Sequence, residues 1–131
     1  MTALALLPPT TSPRLLLQVD AALCAGIGVP LALAAPSVAD LLGTSQSSVV
    51  RWVGVALVVC ALDLLLASRS RWSRRAVLGA GAGSIAWELA SLAVAVLGGL
   101  SGVGTALVVS QGLVVGALGV LQLRAGRAAV G

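Results

Sequence analysis

Four apolar runs, at residues 15–35, 49–67, 76–97 and 103–123, occupy most of this 131-residue chain, and each is as long as a helix that crosses a bilayer. A hydrocarbon core about 30 Å thick takes roughly 20 residues at about 1.5 Å per residue. No water reaches the backbone there, so each run must satisfy its own N–H and C=O groups, which a helix does. The breaks between the runs are short, and short connections favour antiparallel neighbours. The expected fold is therefore an all-α membrane protein, a four-transmembrane-helix up-down bundle. Composition leaves little room for a soluble alternative. Charged residues make up 9% of the chain, against about 25% in a soluble domain that must hydrate its surface.

The bundle, residues 15–123, is flanked by an N-terminal lead-in, 1–14, and a basic C-terminal tail, 124–131. The lead-in has a short apolar piece at 3–7, then Pro8, Pro9 and Pro13. It lacks a basic start and a long enough apolar core for a signal peptide, and reads as a disordered or interfacial segment. Pro30 lies inside the first run and predicts a kink, because it removes a backbone donor. Pro36, Asp40 and the polar residues 44–48 read as the first loop, and 68–75 as the second.

Arginine sets the orientation. Arg14, Arg69, Arg71, Arg74, Arg75, Arg124 and Arg127 fall on one side of this arrangement, and Arg51 alone on the other. The positive-inside bias then places both termini and the second loop in the cytoplasm of a multi-pass protein of the bacterial cytoplasmic membrane. These arginines sit at the ends of apolar runs, so the net charge of +4 marks topology beside lipid headgroups, not nucleic-acid binding. Trp52 and Trp72 stand where interfacial anchors belong.

Cys24 and Cys60 both lie in apolar runs, with no CxxC pair and no histidine. Zinc and thiol-redox motifs are therefore unsupported, both thiols are expected reduced, and no metal or cofactor is implied. Phe and Tyr are absent, and small residues should let the helices approach closely. The expected ridges are Cys24 and Gly28; Ala56 and Cys60; Gly79 and Gly83; and Gly112, Gly116 and Gly119. Packing inside the bundle explains them, and homo-oligomers through one of them are a second reading.

Polar groups inside the runs are the candidates for chemistry. An ionisable side chain at the centre of a spanning helix costs about 2.5–3.5 kcal/mol on insertion scales. Asp20 and Asp63 each fall within about 10 Å of the arginine-rich boundary by helical rise. They read either as interfacial ion-pair partners or as two carboxyls sharing a proton at a pocket mouth. Glu88 falls about 18 Å in from the start of its helix, level with Gln111 on the next. Ser84 and Ser91 share its face, and Trp87 is beside it, so Ser84, Glu88, Ser91 and Gln111 form an expected polar stripe. Glu88 is then either interhelical glue with Gln111 or a functional acid.

The pattern resembles the DoxX-like group of small bacterial four-helix membrane proteins. The likeness rests on Asp20-Ala-Ala in the first helix, Arg51-Trp-Val-Gly in the second, Trp87-x-x-x-Ser91 in the third and Gln111 in the fourth. In that group an apolar residue tends to follow the Trp, so Glu88 is a departure. The resemblance implies a fold and no established activity.

Three functions fit these residues. One is a small protein that binds a lipophilic ligand at Glu88, Gln111, Ser84, Trp87 and Ser91. Another is a membrane-embedded isomerase, epoxide-opening enzyme or cyclase, with Glu88 as acid and Asp63 or Asp20 as base. The third is a proton-coupled exporter. The lipid bilayer is the partner common to all three.

Overall fold

The computed structural model describes residues 12–130, with side chains through Arg127. Its elements are five helices: α1 (Pro13–Leu33), α2 (Ala35–Leu42), α3 (Ser47–Ser68), α4 (Ser73–Leu97) and α5 (Gly102–Val130), with no strand among the described residues. α1, α3, α4 and α5 are long and apolar enough to cross a membrane. This is the architecture of a multi-pass helical membrane protein.

Each spanning helix starts before the apolar stretch that predicts it, while α1 stops at Leu33, two residues short of its expected end. Of the lead-in, residues 1–11 lie outside the described residues. Ser12 caps α1, its hydroxyl accepting from the Leu15 N–H at 3.5 Å, and Pro13 occupies the first turn, where a missing donor costs nothing. α4 begins early enough to carry Arg74 and Arg75 on its first turn. The guanidinium groups of Arg71 and Arg75 lie 5.2 and 5.0 Å from the centre of the Trp72 ring. The basic tail is helical through Val130, a continuation of α5.

α2 was not legible as a helix. Residues 36–48 look like a loop, yet the chain bends at Ala34 and turns helical again for eight residues. Pro30 is carried within α1, and the helix is interrupted at Ala34, whose N–H reaches the Pro30 carbonyl at 2.8 Å. Pro36 falls in the first turn of α2, where proline is tolerated. Gly43, at φ +77°, closes it. The Gly43 and Thr44 N–H groups turn back to the carbonyls of Asp40 and Ala39, satisfying acceptors that the helix end leaves open. α2 also clasps the start of α5. The Ser101 N–H donates to the Leu42 carbonyl at 3.0 Å, and its hydroxyl donates to the Leu41 carbonyl at 3.0 Å while accepting from the Gly104 N–H at 2.9 Å.

α1 packs closely with α3, and α4 with α5, while α1 touches α4 and α5 more sparingly. α3 meets α4 only slightly and does not meet α5. The interior is unusually polar for so small a bundle. Asp20, Ser68, Ser84, Ser91 and Gln122 are buried, whereas Leu33, Leu66, Leu89 and Val96 are exposed. That inversion suits lipid, which offers no hydrophobic drive between helices and leaves cohesion to close packing and polar bonds.

Glycine sets both close pairs. In the first, a Cβ on Gly28 would meet the Gly54 carbonyl at 2.9 Å and the Val58 nitrogen at 3.1 Å, and one on Gly54 would strike the backbone of Leu31 and Ala32. In the second, Gly112, Gly116, Gly119 and Gly126 of α5 face Ser91, Glu88, Ser84 and Leu78 of α4. Part of the expected ridges shifts accordingly. Gly28, Gly112, Gly116 and Gly119 pack as read. Gly54 takes the place of Ala56 and Cys60, and Gly81 takes that of Gly79 and Gly83, which face open space. Glycine counts alone do not say which face turns inward.

These contacts predict opposite outcomes for two alanines. Gly54→Ala should lower stability in detergent by about 1–3 kcal/mol, the usual cost of overpacking against backbone. Gly79→Ala, with nothing near its Cβ, should be neutral or stabilising by up to about 1 kcal/mol from helix propensity. Thermal unfolding of the purified variants measures both, and equal midpoints would contradict the packing.

Candidate functional site

Two tight pairs joined loosely leave a gap between them, and the polar side chains of the interior gather around it. In the α1–α3 register set by Gly28 and Gly54, Asp20 comes level with Asp63 and Cys24 with Cys60, and all four line one cavity of about 290 Å³. The two cysteines are free thiols. Asp20 and Asp63 thus line one space, though it is the gap between the two pairs and not a groove between their own two helices alone. The walls are apolar, made by Leu23, Ile27, Leu57, Leu64, Ala80 and Val115. Ser84, Trp87 and Gly83 of α4 complete the lining. Cys60, Asp63 and Gly83 are exposed as well as lining, so the mouth lies between α3 and α4, the spanning neighbours that touch least.

Apolar clusters lie on both sides of the cavity. Leu16, Leu17, Val77, Leu118 and Ala125 pack at the arginine-rich end, and Ala35, Ala39 and Val50 seat α2 on α3 at the other.

The deepest polar feature is a chain of bonds through Gln122, which is fully buried. Its Nε2 donates to Asp20 Oδ2 at 2.7 Å, and its Oε1 accepts from the Ser84 hydroxyl at 3.2 Å. The Cys24 thiol donates to Asp20 Oδ1 at 3.6 Å. Asp20 therefore accepts on both oxygens, and α1, α4 and α5 are tied together at one level. Only the amide nitrogen of Gln122 can donate to a carboxylate, so Asp20 fixes which way the amide points and leaves its oxygen for Ser84.

A second cluster holds Trp87. Its indole N–H donates to Gln111 Oε1 at 2.8 Å, and Gln111 Nε2 donates to the Ser91 hydroxyl at 2.8 Å and to the Val108 carbonyl at 2.9 Å. With its only donor engaged on the far side, the ring presents carbon to the cavity.

Glu88 departs from its expected partner. It shares a helix face with Ser84 and Ser91, as the spacing requires, but its carboxyl lies against Gly116 on the α4–α5 seam and does not line the cavity. The cause is register. Ser91 faces Gly112 and Glu88 faces Gly116, so Gln111 lies about one turn from the level of Glu88 and its amide is taken by Trp87 and Ser91. Counting depth from the ends of the apolar runs missed this, because the helices begin outside them. Gln122 was also missed. Its spacing of 11 residues from Gln111 puts the two amides on nearly one face of α5, which was the available signal.

Compared with known proteins, the chain matches no family model, no curated protein and no solved structure.

The Gln122 amide generates a coupling prediction. Gln122→Leu leaves Asp20 Oδ2 and the Ser84 hydroxyl without their partner, and should cost about 1–3 kcal/mol. In an Asp20→Ala background the same change should cost less, with a coupling of about 0.6–1.7 kcal/mol. A double-mutant cycle by unfolding in detergent measures this, and strict additivity would show that the bond contributes nothing.

Proposed function

We propose that this chain is a multi-pass protein of the bacterial cytoplasmic membrane that binds a small lipophilic molecule in the cavity between its two helix pairs. The observation that carries the reading is the cavity's construction. It has apolar walls, a few polar groups gathered toward one end, and a mouth between α3 and α4 on the flank of the bundle. Ligand sites are commonly mostly apolar concavities with a small number of placed polar groups. A mouth on the flank of a spanning bundle admits a molecule already dissolved in lipid. Trp87 and Ser84 are the cavity residues carried over from the polar stripe. Gln111 and Ser91 act behind them by fixing the Trp87 ring, and Asp20 and Asp63 form the polar end.

The enzyme reading is less well supported. Its acid, Glu88, and its base, Asp63 or Asp20, do not face one space, so a single substrate in the cavity does not meet both. An exporter needs a route to each membrane face, whereas packed side chains flank this cavity on both sides. The DoxX-like resemblance adds a fold and leaves the ligand open.

Gly83 provides the test. A side chain there meets no atom within 4 Å and projects at the mouth. Gly83→Leu should therefore fold normally and obstruct the cavity. Mass spectrometry of lipophilic species co-purifying with the wild type should find one at near-stoichiometric amount, reduced at least about tenfold in Gly83→Leu, a difference of about 1.4 kcal/mol in binding. Identical species at identical amounts in both would overturn the reading.

The proposed orientation has a separate check. Gly102 is exposed, with room for a side chain, at the start of α5 on the arginine-poor side. In intact cells Gly102→Cys should react with a membrane-impermeant thiol reagent added outside. Reaction only from the cytoplasmic side would reverse the topology.

A further inference from the structure

We propose that the molecule the cavity selects is a lipophilic amine, an apolar body whose protonated nitrogen meets the Asp63 carboxylate near the mouth. The inference rests on the ligand-binding reading above and names the ligand's chemistry.

The cavity holds acceptors that the chain leaves unmatched. Asp20, Asp63, Ser84, Cys24 and Cys60 supply the polar atoms of the cavity, and no arginine lines it. The chain has no lysine and no histidine, its eight cationic residues all being arginine. The stronger donors present are already used, the Ser84 hydroxyl on Gln122 and the Trp87 N–H on Gln111; the Cys24 thiol is on Asp20, and the remaining Cys60 thiol is a weak donor. Asp20 already accepts one bond on each oxygen, from Cys24 and from Gln122. Asp63 differs, because among the described residues it makes no hydrogen bond or ion pair. It therefore offers two free acceptor oxygens beside apolar walls.

A ligand with an N–H⁺ head satisfies that carboxylate by a charge-assisted bond, stronger than a neutral one. The Trp87 ring, which lines the same cavity, adds an attraction for cations over its carbon framework. A carboxylate or phosphate head would meet like charge with no cation to offset it, and the site rejects it on that ground. A neutral alcohol can donate one bond to Asp63 but gains no charge pairing, so it should rank between the two.

Three probes with one rigid apolar cage separate these cases: 1-aminoadamantane, 1-adamantanol and adamantane-1-carboxylate. The readout is native. Cys60 lines the cavity and is exposed, so an occupant should slow its alkylation by N-ethylmaleimide, followed by peptide mass spectrometry on the full-length protein in lipid nanodiscs. The amine should protect at a concentration about tenfold below that of the alcohol, and the carboxylate should not protect. Asp63→Asn keeps the shape and removes the charge. In that variant the amine's advantage should fall to within about twofold, with alcohol protection unchanged.

If the alcohol or the carboxylate protects the wild type as well as the amine does, the amine inference fails while ligand binding stands. An amine advantage that survives Asp63→Asn also overturns it, because the selecting group is then not Asp63. Should no probe slow alkylation and Gly83→Leu leave the rate unchanged, the ligand-binding reading itself falls.

Discussion

A buried amide ties one helix pair to the other at the arginine-rich end of this molecule. Within lipid, apolar contact between helices gains little over contact with acyl chains, so association depends on close backbone approach and on polar bonds. Close approach serves the pairs, at Gly28 and Gly54 for α1–α3 and along the α5 glycines for α4–α5, and recurs where Gly43 and Gly104 bring the end of α2 against the start of α5. Between the pairs, Gln122 reaches from α5 to Asp20 on α1 and to Ser84 on α4. An amide has donors and an acceptor at opposite sides of one planar group, so it can join a carboxylate to a hydroxyl in a single step. A carboxylate in its place would have no donor for Asp20.

That division of labour explains the cavity. Where Gln122 draws α1 against α4 and α5, the leucines around Leu17 and Val77 close over the arginine-rich end. At the other end α2 bridges, resting on α3 through Ala35, Ala39 and Val50 and clasping Ser101 at the start of α5. Nothing equivalent joins α3 to α4 midway. α3 presents Cys60 and Asp63 there and α4 presents Gly83, a set without the bulk or the bonding groups to draw the two together. The opening follows from where the ties are placed.

Much of this architecture was legible in the sequence, because in a bilayer the length of an apolar run nearly dictates its structure. The four spans and the common level of Asp20 and Asp63 follow from helical rise and hydropathy. Contacts set by rotation and register did not follow. Gly79 and Gly81 are indistinguishable as letters, yet they differ by about 200° around the helix, and only Gly81 turns toward α5. Glu88 and Gln111 were paired by depth, and an offset of about one turn between α4 and α5 separates them. α2 escaped because eight residues containing Asp40 are too few for a span and too polar to stand out from a loop.

The polar residues of the interior divide by whether their bonds are complete, and the division sorts structure from chemistry. Asp20, Ser84, Gln122, Trp87, Gln111 and Ser91 all find partners within the chain. Such groups hold helices in register, and a ligand gains little from acceptors already in use. Asp63 and Glu88 have no such partners among the described residues. Unpaired carboxyls within a spanning helix are costly, by about 2.5–3.5 kcal/mol at the centre, and packing alone gives no reason for them. The seam relieves Glu88 in part, since Gly116 leaves space that any larger residue would fill. Asp63 has no comparable recess. It stands where the cavity meets the bundle's flank, beside apolar walls and near an aromatic ring whose own donor is engaged elsewhere. A carboxylate so placed completes its bonding only when a donor arrives from outside the chain, and this sets Asp63 apart from the more deeply set Glu88.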